Sequence, residues 1–144
     1  AEALGIPVAE LGPATFSRRP FVLWLGDDVY VRSVQRVHDD GTLSFLCAID
    51  EGIVVRLEEA IDPLSSVEKA FEEVRTLVPQ PALVLGCDCI LRRIELEERG
   101  VAEAVGRVYV DNHVVGFSTY GEQFNAAHVN QTFTGIAIAA GTGR

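Results

Sequence analysis

The stretch Ala82-Leu83-Val84-Leu85-Gly86-Cys87-Asp88-Cys89-Ile90-Leu91-Arg92-Arg93 carries the change of period on which the fold turns. Ala82 to Gly86 is a short apolar run bounded by turn-formers, which reads as a buried strand. Asp88 is then placed to cap a helix in which Leu91, Ile94, Val101 and Val105 share a face, with Gly100 as a break or kink. A strand running straight into a helix excludes an all-β or all-α chain, and the flanks fill in the rest.

Upstream, Val67, Ala70, Phe71, Val74 and Leu77 recur at helical spacing, Ser65-x-x-Glu68 has the form of a capping box, and Pro79 closes the segment. Before it the period is two. Phe21–Leu25, Val29–Val37, the alternating Leu43, Phe45, Cys47, Ile49 and the alternating Ile53, Val55, Leu57 are separated by Gly26-Asp27-Asp28, Asp39-Asp40-Gly41 and Asp50-Glu51-Gly52. Asp and Gly supply the backbone angles of tight turns, so four antiparallel strands in a meander are expected. Downstream, Val114–Ser118 and Thr132–Ala139 read as two last strands. The expected class is α+β, with an antiparallel or mixed sheet in the order ββββαβαββ. Residues 1–20, with Gly5, Pro7, Gly12, Pro13 and Pro20 and no sustained period, are expected to form a lead-in arm or linker to one domain over 21–144.

The totals fit one ordinary domain: 144 residues, 48% apolar, with 21 acidic against 12 basic side chains and a net charge of -9. No basic run exceeds the pairs Arg18-Arg19 and Arg92-Arg93, so the clustered positive footprint of a nucleic-acid binder is missing. The apolar runs fall far short of the roughly 20 residues that cross a bilayer, and no signal-like start is present, so no membrane insertion and a cytoplasmic location are expected. Cys47, Cys87 and Cys89 make no even framework and are expected as free thiols. Ala1–Leu4 reads as the continuation of a longer chain.

Two constellations carry chemistry. At the first, the start of the helix after Asp88 offers unpaired N–H groups and partial positive charge, suited to an anionic ligand. Cys89 falls in its first turn, where thiolate is favoured. Arg92 and Arg93 oppose the macrodipole there by about 0.3–1 kcal/mol each when exposed, which calls for an anionic partner. The plain alternative is a pair of surface contacts, Arg92 with Glu95 and Arg93 with Glu97. Cys87 is expected in the core. At the second, Gly116 to Glu122 followed by His128 to Thr132 puts Tyr120, Glu122, His128, Asn130 and Gln131 along a loop between strands, denser in polar groups than a connection needs. The alternative is a turn using Gly121 and Asn130 for local geometry. The spacing of Cys87, Cys89, His113 and His128 does not match a zinc ribbon, and no metal site is expected.

Taken together, Tyr30-Val31-Arg32-Ser33, Asp40-Gly41-x-Leu43-x-Phe45, Glu51-Gly52 before Val54-Val55-Arg56-Leu57, Asp88-Cys89-x-x-Arg92-Arg93, and Gly116-Phe117-x-Thr119-Tyr120-Gly121-Glu122 with Asn130-Gln131-Thr132 resemble the C-terminal half of the FIST family of bacterial sensory domains. The resemblance implies a non-catalytic input domain that binds a small anionic or amino-acid-like ligand. It also implies an N-terminal FIST half before it and an output domain such as a histidine kinase, a cyclic-di-nucleotide enzyme or a chemoreceptor, the setting of a two-component system. Some members bind haem, for which His128 and Cys89 are the candidate ligands here. The family motifs match at Arg32, Asp88, Cys89, Arg92, Arg93, Tyr120, Glu122, Asn130 and Gln131. Other functional readings are an interaction half that completes the missing neighbour and a thiol-dependent enzyme using Cys89.

Overall fold

A computed structural model describes residues 1–124 and 127–141; residues 125, 126 and 142–144 of the expected domain lie outside it. The class is α+β with antiparallel and mixed sheets, as expected. The first hairpin joins β1 (Phe21–Leu25) to β2 (Asp28–Arg32), pairing Leu25 with Asp28 across the two residues Gly26 and Asp27. Gly26 has φ 64°, the left-handed value that the first position of such a tight turn demands.

The expected second strand is cut at Ser33. Arg32, Ser33 and Val34 are all buried, which one strand cannot do, since neighbouring side chains point to opposite faces. The chain therefore changes sheets, and β3 (Val34–Val37) pairs with β4 (Leu43–Phe45) as a separate hairpin. Of the expected fourth strand only β5 (Arg56–Leu57) forms, and it pairs with β1 on the edge away from β2. The meander thus becomes a β2-β1-β5 sheet and a detached hairpin. Burial before β5 keeps the expected alternation, with Ile53, Val55 and Leu57 half-buried and Val54 exposed, although only Arg56 and Leu57 pair as strand.

Helix α2 (Pro63–Leu77) begins two residues before the expected box, and its cap lies three before it. Asp62 is the cap: its Oδ2 accepts from the Ser65 backbone N–H at 2.8 Å and from Ser65 Oγ at 2.6 Å. Those hydrogen bonds, the side-chain one first, hold the Asp62 carboxyl below its ordinary range. A depressed folded-state pKa adds stability above the unfolded value that is lost on acidification. Asp62→Ala is expected to lower the melting temperature at pH 7 and to do so less at acid pH, once the pH has fallen through the carboxyl's lowered folded-state range and the wild-type group takes up its proton. Thermal melts of both proteins at neutral and acid pH check this.

Strand β6 (Pro81–Cys89) runs three residues beyond Gly86, so Asp88 stays in the strand and Cys89 becomes the cap position of α3 (Ile90–Glu98), without a side-chain cap bond. Gly100, at φ 70°, ends the helix, and α4 (Ala102–Asp111) starts afresh. That break resets the helical phase. Val105 is buried as expected, but α3 buries Arg92, Glu95 and Leu96, while Ile94 is exposed. Strands β7 (Val114–Thr119) and β10 (Phe133–Ala139) flank β6, parallel and antiparallel respectively, and a small hairpin of β8 (Glu122–Phe124) and β9 (Ala127–Val129) occupies the expected polar loop.

Helices α2, α3 and α4 cover one face of the β10-β6-β7 sheet. Val67, Phe71, Val84, Leu96 and Val105 form the core, with Tyr109 stacked on Phe133 at 4.8 Å between ring centres. Burying each such Val, Leu or Phe contributes about 1.5–3 kcal/mol. The first 20 residues hold two single-turn segments, Glu2–Leu4 and Val8–Glu10, and a short helix α1 (Pro13–Arg18) whose Phe16 is buried against Phe21.

Candidate functional site

The strand end and helix start at Asp88–Arg93 place two arginines in opposite settings. Arg93 is exposed and pairs with Glu97 at 3.1 Å, an ordinary surface contact worth about 0–1 kcal/mol. Arg92 turns inward. It is 7% exposed; its Nη1 donates to Asp88 Oδ1 at 2.8 Å and to Tyr109 Oη at 2.7 Å, and Tyr109 Oη donates to Asp88 Oδ2 at 3.1 Å. Burial opposes the Arg92 charge, but Tyr109 and Asp88 more than offset it and hold its pKa above the ordinary value. Burial pushes the Tyr109 phenol up, so it stays a neutral donor. Asp88 is therefore the anion that the macrodipole argument called for, supplied from the strand rather than from a cap. Arg92 Nη2 is buried and has no hydrogen-bond partner among the described residues.

One helical turn on, Glu95 is 6% exposed and held by Arg99 Nη2 at 2.7 Å and Gln131 Nε2 at 2.9 Å. Gln131 also donates to the Ser17 carbonyl at 2.9 Å, so one amide ties α1, α3 and the loop before β10 together. It does so from φ 58°, a left-handed conformation that costs a non-glycine residue roughly 1–2 kcal/mol. The helix start and the polar loop do meet, through Gln131 and through Cys89 N–H donating to the Thr132 carbonyl at 3.0 Å.

The rest of the loop forms a second polar group. Glu122, 4% exposed, accepts from Thr119 Oγ1 and from Thr132 Oγ1, the latter at 2.7 Å. Asn130 is fully buried, its Nδ2 a long 3.5 Å from the Tyr120 carbonyl and its Oδ1 without a partner among the described residues. A Cβ on Gly121 would run into the His128 imidazole, so a larger residue there has to displace that ring. Arg32 is buried and donates to the carbonyl of His128 at 3.2 Å, joining β2 to β9. Tyr120 is 87% exposed, and its side chain takes no part.

A cavity of about 700 Å³ lies between the β1–β2 hairpin, α2 and the mixed sheet. Trp24, Val29 and Val31 line it from the hairpin, Ala70, Phe71 and Val74 from α2, and Val84, Phe133 and Ala137 from the sheet. The buried Arg92 and Glu95 and the half-buried Gln131 and Thr132 supply its polar groups, and Glu58 and Glu59 further carboxylates. That volume and that balance of apolar wall to few polar groups are those of a small-molecule site. The apolar stripe of α2 thus divides: Val67 fills the core, while Ala70 and Val74 border empty space. Of the ten residues singled out by sequence, Arg92 and Gln131 line the cavity; Asp88 and Cys89 stand behind them, while Arg93 and Tyr120 face solvent. Tyr109 was missed, since no spacing rule connects it to Asp88; Glu95, expected as a surface partner of Arg92, is instead buried and paired with Arg99, while Arg92 pairs with Asp88.

Haem needs a His, Cys, Met or Tyr ligand facing a space of its own size. Among the described residues no such side chain lines the cavity; His128 lies at the β8–β9 hairpin and Cys89 is completely buried, so the cavity does not fit haem. Complete burial also denies Cys89 the substrate access a thiol nucleophile requires. All three cysteines are free thiols; Cys87, expected in the core, is half-buried, and Cys89 holds the core position. Among the described residues no group of three or more His, Cys, Asp or Glu could hold a metal ion, and no helix is long and apolar enough to cross a membrane.

Comparison with family models matches residues 1–125 to the FIST C domain. The match takes in the first 20 residues and ends before Asn130 and Gln131. No curated protein and no solved structure matches the chain. With 125 of its 144 residues matched, the chain belongs to the FIST C domain family and is a sensory-type domain of signal transduction.

Proposed function

We propose that the domain senses, without chemical turnover, an amino-acid-like ligand with a large apolar side chain, held in the cavity between the β1–β2 hairpin, α2 and the mixed sheet. The observation that carries this is the pairing of a buried Arg92 with a buried Glu95, one of each charge on one face of α3, on the wall of an otherwise apolar space. Arg92 offers a carboxylate its spare N–H donors, Glu95 can accept from an ammonium group, and Trp24, Phe71 and Phe133 provide an aromatic surround for the side chain. Asp88 and Arg99 already neutralise these two charges, which favours a zwitterionic head over a multiply charged anion. In this reading the domain works in the cytoplasm of a bacterium beside an N-terminal FIST half, and passes occupancy to a histidine kinase, cyclic-di-nucleotide enzyme or chemoreceptor output.

Ala70 is exposed on α2 and borders the cavity, so Ala70→Phe fills the space with little cost to folding. A thermal-shift screen of the amino acids and of short carboxylates is expected to give stabilisation by apolar amino acids in wild type and none in Ala70→Phe. Ligand at 100 times its Kd stabilises by about 2.7 kcal/mol, a shift such a screen resolves. Equal shifts in the two proteins would remove the cavity as the site.

A further inference from the structure

The helices cover only one face of the β10-β6-β7 sheet. Register puts Leu85 of β6 beside Val115 of β7 and Ile136 of β10, with Cys87 beside Phe117 and Leu83 beside Ile138. All these point away from the helices, because Val84, Val114 and Ala137, one residue along, belong to the core. Their exposures are high for such side chains: Leu85 43%, Val115 52%, Phe117 64%, Ile136 67% and Ile138 48%. No position on this face from 83 to 87, 115 to 117 or 134 to 138 is charged, in a chain with 33 acidic and basic residues (21 and 12).

We infer that this face is a homodimer interface, in which two copies pack sheet on sheet about a two-fold axis. Three points select a second copy as the occupant. The five named side chains expose on the order of 500 Å² per copy, at the upper end of the largest apolar patch on ordinary monomers. Two such faces together remove about 1,000 Å² from water before any rim is counted, the threshold for a specific interface. Finally, the face offers no charge for a charged partner to match, while two identical uncharged faces complement each other and leave the net charge of -9 on each copy's outer surfaces. Stacked sheets about 10 Å apart with roughly aligned strands accommodate this without moving the helices.

Sedimentation velocity over about 1–100 μM tests the inference, using the chain as it stands. Wild type is expected to sediment at twice the monomer mass. Phe117→Glu and Ile136→Lys, both at exposed positions, are expected to sediment as monomers with unchanged circular dichroism. Val110→Glu, equally exposed but on α4, is expected to stay dimeric. A wild type that remains monomeric throughout overturns the inference, including the case in which the face is protected only when a preceding segment is joined to the chain. So does a Phe117→Glu protein that dimerises as wild type does.

Discussion

Arg92→Ala is expected to destabilise the domain by about 3–5 kcal/mol, enough to unfold a marginal protein. The substitution removes the 2.8 Å contact to Asp88 and the 2.7 Å contact to Tyr109, and it leaves a carboxylate that is 18% exposed without its counter-charge. The stranded charge, rather than the lost attraction, accounts for most of that figure. Replacing both partners with apolar groups, as in Asp88→Leu with Arg92→Met, is therefore expected to recover most of the loss. The neighbouring Arg93→Ala deletes the same chemistry at an exposed site and is expected to stay within about 0.5 kcal/mol of wild type. Urea unfolding midpoints of the four proteins, compared at equal m-value, check the series. Comparable losses at Arg92 and Arg93 would mean that the burial described for Arg92 is wrong.

Gly116→Ala is expected to cost more than about 4 kcal/mol and to abolish folding of the mixed sheet. A Cβ at Gly116 would sit 1.8 Å from the Gly86 carbonyl oxygen and 2.7 Å from its carbon. Both atoms are backbone of the central strand, so no rotamer change relieves the clash, and the parallel β6–β7 pair must part. Gly106→Ala is the opposite case. Nothing lies within 4 Å of a Cβ there, and the residue is in α4, where alanine is favoured over glycine by about 0.8–1.0 kcal/mol. Circular dichroism melts are expected to show no folded transition for Gly116→Ala and a raised midpoint for Gly106→Ala.

The sequence alone was informative wherever the information is local. The β1–β2 turn at Gly26, the α2 stripe through Val67 and Phe71, the break at Gly100 and the strands β6, β7 and β10 follow from short-range period and turn chemistry. What escaped it is non-local. Ser33, where the chain changes sheets, carries no turn signal, because the break comes from three consecutive buried side chains that bury against different partners. The pairing of β5 with β1 rather than with its sequence neighbour is likewise a matter of register across some 35 residues. At the site, the need for an anion near Arg92 was legible from the macrodipole, and the matching family motifs include Asp88 itself. Its role was misread as a cap, since the three extra residues of β6 are held by pairing with Phe133 and its neighbours, partners 45 residues downstream. Tyr109 could not be found, and Glu95 was read as a surface partner of Arg92, because a polar side chain on an otherwise apolar helix face announces its partner only in three dimensions.

Trp24, the one tryptophan in the chain, lies on the cavity wall and makes the central claim directly measurable. Titration of the protein with leucine, phenylalanine and their deaminated carboxylates, following Trp24 emission, is expected to give a saturable change with the intact amino acids, weaker with the carboxylates that lack a group for Glu95, and absent in Ala70→Phe. Emission that stays constant through saturating concentrations of every one of them, or changes identically in Ala70→Phe, would contradict the assignment of the cavity as the sensory site.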